Sequence, residues 1–202
     1  MRFLSEANPS GLSEATASGS NEGITTRPCV ELPATVLADL RTNHAGEVGA
    51  VHIYLGVLFF ARDPALRAFA AQHLSTERSH LRAIELWLPS SHYSCLLPVW
   101  RLAGFLTGAV PALMGPKVVY ATIEAVETFV HRHYGEQIRT LASIPSLELL
   151  RLTLLNCQID EETHRKEAII QFGGARRGIF LRAWCALVAV GSAVAVSVSR
   201  MI

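Results

Sequence analysis

Two copies of one motif, Glu-x-x-His, fall on helical faces that are otherwise apolar, and they constrain the fold of this chain more than any other feature. One apolar stripe at the helical period passes through Glu77 and His80, and a second passes through Glu161 and His164. Residues three apart lie together on one face of a helix. Each motif therefore directs a carboxylate and an imidazole toward the interior of a helical protein.

Each motif is preceded by a further glutamate on the apolar stripe of an earlier helix. Glu47 comes thirty residues before Glu77, and Glu127 comes thirty-four residues before Glu161. Buried unpaired carboxylates are strongly disfavoured, and these stripes carry no lysine or arginine to pair with them. The four glutamates and two histidines match the ligand set of ferritin-like proteins that hold two iron or manganese ions. The pattern therefore predicts a metal centre inside a helical bundle.

Helix signals dominate the sequence outside these motifs as well. The helical segments are interrupted at Asp63-Pro64, Gly115-Pro116 and Gly173-Gly174, and such residues commonly start or stop helices. Strand patterns are absent from the sequence. The fold class we predict is all-α, a ferritin-like four-helix bundle carrying a di-iron site, with two additional apolar helices. The six predicted helices lie at about 36–61, 64–88, 95–113, 116–142, 146–172 and 178–199.

The chain divides into three predicted parts. Residues 1–33 are rich in Ser, Gly and Thr without apolar periodicity, which predicts a disordered tail. Residues 34–174 are expected to form the bundle, including an apolar helix at about 95–114. Residues 175–202 are expected to form an apolar C-terminal helix that associates with a membrane. The tail resembles no targeting signal, so the expected location is the bacterial cytoplasm or the membrane that faces it.

Composition narrows the possible partners. Half of the residues are hydrophobic, 17% are charged and the formal net charge is +1, which argues against nucleic acid as a partner. Arg101 is the only charge between residues 93 and 115, and residues 183–199 carry none. We interpret these two segments as helices in the membrane interface, with nearby arginines at the headgroups. Two alternatives are buried core helices and a single membrane span formed by the last helix.

The segment LRTNHAGEVGA at residues 40–50 resembles the first metal-binding helix of the demethoxyubiquinone hydroxylase family, the membrane-associated di-iron monooxygenases of ubiquinone biosynthesis. Further similar segments occur around Glu77, around Glu127 and His133-Tyr134, and around Glu161, so the resemblance covers about residues 37–172. It implies that the iron ligands are Glu47, Glu77, His80, Glu127, Glu161 and His164. It also implies that His133 and Tyr134 lie near a bound quinone.

The resemblance further implies a reaction. Two Fe ions per chain, O2 and a reductant, expected to be NADH, would hydroxylate the ring of a polyprenyl methoxy-methyl benzoquinone or benzoquinol. Glu77 and Glu161 are the expected bridging carboxylates, because the two Glu-x-x-His motifs face the metal pair from both halves of the bundle. Glu47 and Glu127 are then terminal ligands, and the two histidines bind one iron each.

The expected partners are the polyprenyl quinone, membrane lipid, other proteins of ubiquinone biosynthesis including one that presents lipid, and a second copy of the chain. The expected location is peripheral, on the cytoplasmic face of the bacterial inner membrane. A ferritin-like protein that oxidises or stores iron is the main alternative, and a metal-free lipid-binding bundle is a third. The two apolar segments favour the hydroxylase, because a polyprenyl substrate explains them directly.

Overall fold

Six α-helices make up most of residues 30–202, the part of the chain that this computed structural model describes. The described residues contain no strand, which confirms the all-α prediction. The predicted tail at 1–33 lies almost wholly outside them. The helices are α1 (Ala34–Phe60), α2 (Pro64–Trp87), α3 (Leu97–Met114), α4 (Pro116–Leu141), α5 (Glu148–Phe172) and α6 (Ile179–Met201).

The breaks between helices occur where the local sequence predicts them. Asp63 caps α2 by accepting a hydrogen bond from the backbone N–H of Leu66 at 2.8 Å, and Pro64 occupies the first helical position. Gly115 joins α3 directly to α4 with φ at +115°, a conformation that favours glycine. Gly173 ends α5 in the left-handed conformation. Asp63 and Gly173 thus fix one end of each of the two helices that carry the Glu-x-x-His motifs.

Four helices form the bundle, and the two apolar helices pack on its outside. α1 packs against α2 and α4 against α5, while α3 and α6 each contact both α1 and α4. The buried hydrophobic residues form two clusters, one around Tyr54 and Leu66 and the other around Leu40 and Leu150. The layer that contains Glu47 and the two Glu-x-x-His motifs lies between these clusters.

α3 and α6 are long and apolar enough to cross a membrane by length and composition, with 18 and 23 residues. In the most apolar stretch of 18 residues of each helix, only 22% of α3 and 11% of α6 is buried. Phe180 on α6 is 87% exposed, and Leu102 and Leu113 on α3 are 61% and 67% exposed. A core helix of a soluble protein would be mostly buried, so the interpretation of α3 and α6 as ordinary core helices is disfavoured.

α1 and α3 approach each other closely at glycines. A methyl group added at Gly104 would overlap the backbone carbonyl oxygen of Gly49, and one added at Gly108 would overlap that of Ile53. Glycines four residues apart allow two helix backbones to come into contact, an arrangement common among helices in membranes. The contact places α3 beside the part of α1 that carries Glu47.

Substitution of Gly108 by alanine should destabilise the protein. The added methyl group meets backbone atoms of Ile53 and Val57 that no side-chain rotation can move. Overpacking of this kind costs about 1–3 kcal/mol. The thermal unfolding midpoint measured by circular dichroism should therefore fall. Gly46→Ala is the control, since a methyl group there has open space and alanine is the better helix former; a midpoint that falls equally in both variants would contradict the packing argument.

Candidate metal centre

The six predicted ligands come from four helices and lie together in one buried layer. They form two overlapping groups, in each of which one ligand atom per residue lies within 4.8 Å of the others. Their exposed fractions are only 1–4%. The two groups are Glu47, Glu77, His80 and Glu161, and Glu77, Glu127, Glu161 and His164. Glu77 and Glu161 belong to both groups and therefore lie where bridging carboxylates are expected.

Each histidine of the two motifs faces the glutamate of the other motif. Nδ1 of His80 lies 3.1 Å from Oε1 of Glu161, and Nδ1 of His164 lies 3.1 Å from Oε1 of Glu77. The histidines also lie within 3.7 Å and 3.5 Å of the glutamates of their own motifs. The spacing of three residues within each motif thus lets the glutamate and the histidine of α2 contact the histidine and the glutamate of α5.

Several ligand atoms in this layer are buried and form no hydrogen bond of good geometry among residues 30–202, although the histidine and glutamate atoms named above approach to 3.1 Å. They are Oε2 of Glu47, both carboxylate oxygens of Glu77, Oε2 of Glu161, and Nδ1 of His80 and of His164. Buried polar atoms are normally paired, so this shared lack of partners indicates that another group satisfies them. Carboxylate oxygens and imidazole nitrogens are the ligands of iron and related divalent ions. The residues present therefore fit a site for metal ions.

The electrostatics of the layer also favour a cation. Burial raises the pKa of Glu47 and of Glu127 well above the usual range, because water no longer stabilises their charge. Burial also acts to lower the pKa of His164, but the adjacent carboxylates of Glu161 and Glu77 outweigh it and raise that pKa to about 9. Without metal the cluster therefore retains protons, which metal ions would displace.

Two tyrosines connect the halves of the centre. The hydroxyl of Tyr134 on α4 donates to Oε1 of Glu47 on α1, and that of Tyr54 on α1 donates to Oε1 of Glu127 on α4 at 3.3 Å. Each tyrosine follows the glutamate of its own helix by seven residues. The Glu-x-x-His motifs do not mark Tyr54 as a site residue, but the repeated spacing of seven residues between glutamate and tyrosine does.

Two further side chains hold or contact the histidines of the centre. Oδ2 of Asp160 lies 3.0 Å from Nε2 of His80, and such outer hydrogen bonds orient histidine ligands. The buried ring of His73 lies 4.0 Å from the ring of His164, and Nε2 of His73 is 2.8 Å from Oε2 of Glu167. The motif spacing alone did not indicate these partners, because they come from a neighbouring helix.

A cavity of about 530 Å³ opens from the centre toward α3 and α6. Four carboxylates of the centre line it, as do the predicted quinone neighbours His133 and Tyr134. Its polar end contains Thr42, Asn43 and His133, while residues such as Ile53, Leu187 and Val188 make the remaining wall apolar. The cavity therefore suits a molecule with a polar head and an apolar tail.

The polar side chains at this end of the cavity largely bond to one another. Asn43 and Gln137 exchange two hydrogen bonds, at 2.7 Å and 2.9 Å. Nε2 of His133 lies 2.9 Å from Oγ1 of Thr42 and 2.8 Å from Nε2 of Gln137. These contacts hold the imidazole of His133 at the cavity surface, next to Tyr134.

Comparison with known proteins agrees with this geometry. The family model described as "Ubiquinone biosynthesis protein COQ7" matches residues 34–199. The chain is 35% identical over 133 residues to a mitochondrial NADPH-dependent 3-demethoxyubiquinone 3-hydroxylase of Dictyostelium discoideum, covering 62% of this chain and 59% of that protein. It is 30% identical over 173 residues to a 3-demethoxyubiquinol 3-hydroxylase of Ralstonia pickettii, covering 84% and 78%.

A third relative is the mitochondrial 5-demethoxyubiquinone hydroxylase of Saccharomyces cerevisiae, which is 36% identical over 113 residues, covering 54% of this chain and 48% of the yeast protein. The family match covers helices α1 to α5 completely and α6 except for its last two residues. These matches confirm the resemblance found in the sequence. The chain belongs to the family of the ubiquinone biosynthesis protein COQ7.

Proposed function

We propose that this chain hydroxylates the ring of a demethoxyubiquinone-type polyprenyl benzoquinone or benzoquinol in ubiquinone biosynthesis. The observation that carries the proposal is the buried Glu/His centre, which opens on a cavity with a polar end and apolar walls. The names of the relatives support this substrate class. An iron-storage protein of the ferritin type would need neither this cavity nor the exposed apolar helices, so that alternative is not favoured.

The proposed metals are two Fe ions. Glu47 and His80 would hold one ion and Glu127 and His164 the other, with Glu77 and Glu161 bridging them. This assignment is supported by the two overlapping ligand groups and by the unpartnered atoms that face them. When bound, the two irons supply the activation of O2 for monooxygenation.

The protein residues have supporting roles in the proposed reaction. Tyr134 and Tyr54 hold the terminal carboxylates of Glu47 and Glu127 in place. His133 and Tyr134 contact the quinone ring at the cavity surface. Apolar side chains from α3 and α6 exclude water from the cavity. The proposed reductant is a nicotinamide: the resemblance suggests NADH, whereas the Dictyostelium relative is named NADPH-dependent.

The proposed location is the membrane surface, on the cytoplasmic face of a bacterial inner membrane. The exposed apolar side chains of α3 and α6 support it, because each CH2 group kept out of water contributes about 0.8 kcal/mol. Arg176 and Arg182 are exposed at the start of α6, where they can meet anionic headgroups. We further propose a lipid-presenting partner and self-association, with the apolar helices as the contact surface.

The purified protein should bind two iron ions per chain, and Glu161→Ala or His80→Ala should lose iron and activity together. Removing either side chain takes away a ligand, and Glu161 is shared by both groups. The measurements are metal analysis, turnover and circular dichroism, and the helical content should survive.

Glu162→Ala is the control, because that carboxylate pairs with Arg165 and Lys166 on the outside of α5. It should keep two irons and full activity. Full activity in either ligand variant would contradict the assignment, and many irons per chain in the unmodified protein would favour storage.

Cells that lack this protein should accumulate the demethoxy quinone precursor. The unmodified gene should restore ubiquinone, whereas a gene with Glu127→Ala should not, because that residue belongs to the centre. Glu136→Ala is the control, since Glu136 is exposed on the same helix. Quinones extracted from the three strains are compared by chromatography. An unchanged quinone profile in cells without the gene would show that the reaction is a different one.

Replacement of Leu102, Leu106 and Phe180 by Asp should move the protein from the membrane fraction to the soluble fraction. These side chains are 49–87% exposed, and each large apolar side chain kept from lipid forfeits about 1.5–3 kcal/mol. Turnover of a long-chain quinone should fall much more than turnover of a short-chain analogue.

The matched control replaces Leu152, Ile159 and Ile170, three exposed apolar residues of the bundle helix α5, by Asp. That variant should stay with the membrane. If both triple variants are released equally, or if the first loses both substrates to the same extent, the role of α3 and α6 in membrane binding is wrong.

A further inference from the structure

Two hydrogen-bond donors on the apolar helices are buried and have no partner among the described residues. They are the hydroxyl Oγ of Ser199 on α6 and the indole Nε1 of Trp100 on α3. The side chain of Ser199 is 0% exposed. Both residues line the cavity that opens on the Glu/His centre. Buried donors are nearly always satisfied in proteins, so a partner is expected inside the cavity.

Three comparable groups on the same helices are satisfied within the protein. Oγ1 of Thr107 on α3 and Oγ of Ser197 on α6 each donate to a backbone carbonyl one turn back, at 2.8 Å. Nε1 of Trp184, which also lines the cavity, donates to Oγ1 of Thr122 at 2.8 Å. Ser199 and Trp100 therefore differ from these three residues because their donors have no partner within the described residues. Donors on the same helices can be satisfied, so the position on a helix does not explain the difference.

Both unpartnered donors lie at the polar end of the cavity. Arg200, next to Ser199, forms an ion pair with Asp39 near the start of α1. Trp100 lies one helical turn before Gly104, which contacts Gly49, so Trp100 also lies toward the start of α1. The other polar side chains at this end bond to one another, as described above. Ser199 and Trp100 thus hold the donors left for a ligand.

We propose that the Ser199 hydroxyl and the Trp100 indole N–H donate hydrogen bonds to oxygen atoms of the benzoquinone ring. Ring carbonyl and methoxy oxygens are acceptors, whereas a polyprenyl tail has none, so these two donors recognise the head of the substrate. Together they orient the ring toward the Glu/His centre. The inference rests on the proposed function and adds to it two residues that determine specificity.

The test compares the binding of two ligands that differ in oxygen content. Decylubiquinone carries carbonyl and methoxy oxygens on its ring, whereas decylbenzene has the same tail and a ring without acceptors. Binding to the full-length, metal-loaded protein is measured by calorimetry in one detergent, with no reductant present. Ser199→Ala and Trp100→Phe should each weaken decylubiquinone binding roughly five- to tenfold and leave decylbenzene binding within about twofold.

Ser197→Ala is the matched control, because its hydroxyl is exposed and bonded to its own helix. It should change the binding of neither ligand. An equal loss of both ligands in the test variants would mean that Ser199 and Trp100 only shape the wall, and unchanged binding of both would mean that their donors do not reach the ring. Either result overturns the inference while the proposed function stands. If the unmodified protein binds decylubiquinone no better than decylbenzene, the proposed quinone substrate fails as well.

Discussion

Four carboxylates share one buried layer of this bundle, and that arrangement is stable only if they hold protons or positive charge is buried with them. Without metal, His164 holds a proton and supplies part of that charge. With two divalent cations bound, the cations would supply the charge and displace the protons. Because each of α1, α2, α4 and α5 contributes to the layer, the charge balance of the centre also determines how these four helices are held together. The two hydrophobic clusters on either side pack against a layer that hydrophobic burial alone would not favour.

The sequence predicts those features of the structure that depend on a single helix. Helical periodicity fixes which face of a helix a residue occupies, so the six candidate ligands could be predicted from Glu77, His80 and their repeats. Capping chemistry at Asp63 and a backbone conformation available to Gly173 fix helix ends in the same local way.

Contacts between helices distant in the chain were not predictable in this way. Periodicity shows that Tyr54 faces inward, but not that Glu127, seventy-three residues later, receives its hydrogen bond. The glycine contacts of α1 with α3 and the donors of Trp100 and Ser199 depend likewise on how close separate helices come. Such distances follow from the packing of the whole bundle.

The apolar composition of α6 follows from its two faces. This helix is tied to the bundle by ion pairs near both ends, Arg177 with Glu124 and Arg200 with Asp39. Between them its inner face lines the cavity and its outer face is exposed and apolar. A helix of this kind needs apolar residues on almost every side, which a helix at an ordinary protein surface does not.

The crossed tyrosine bonds have a consequence for how such a centre can arise. The pair α1–α2 and the pair α4–α5 each contribute to the centre one glutamate, one Glu-x-x-His motif and one tyrosine, but each tyrosine donates to the glutamate of the other pair. One helical hairpin by itself cannot satisfy its own carboxylate. The hydrogen bonds of the centre are therefore complete only when the two pairs dock, so the formation of the centre is a direct sign of that docking.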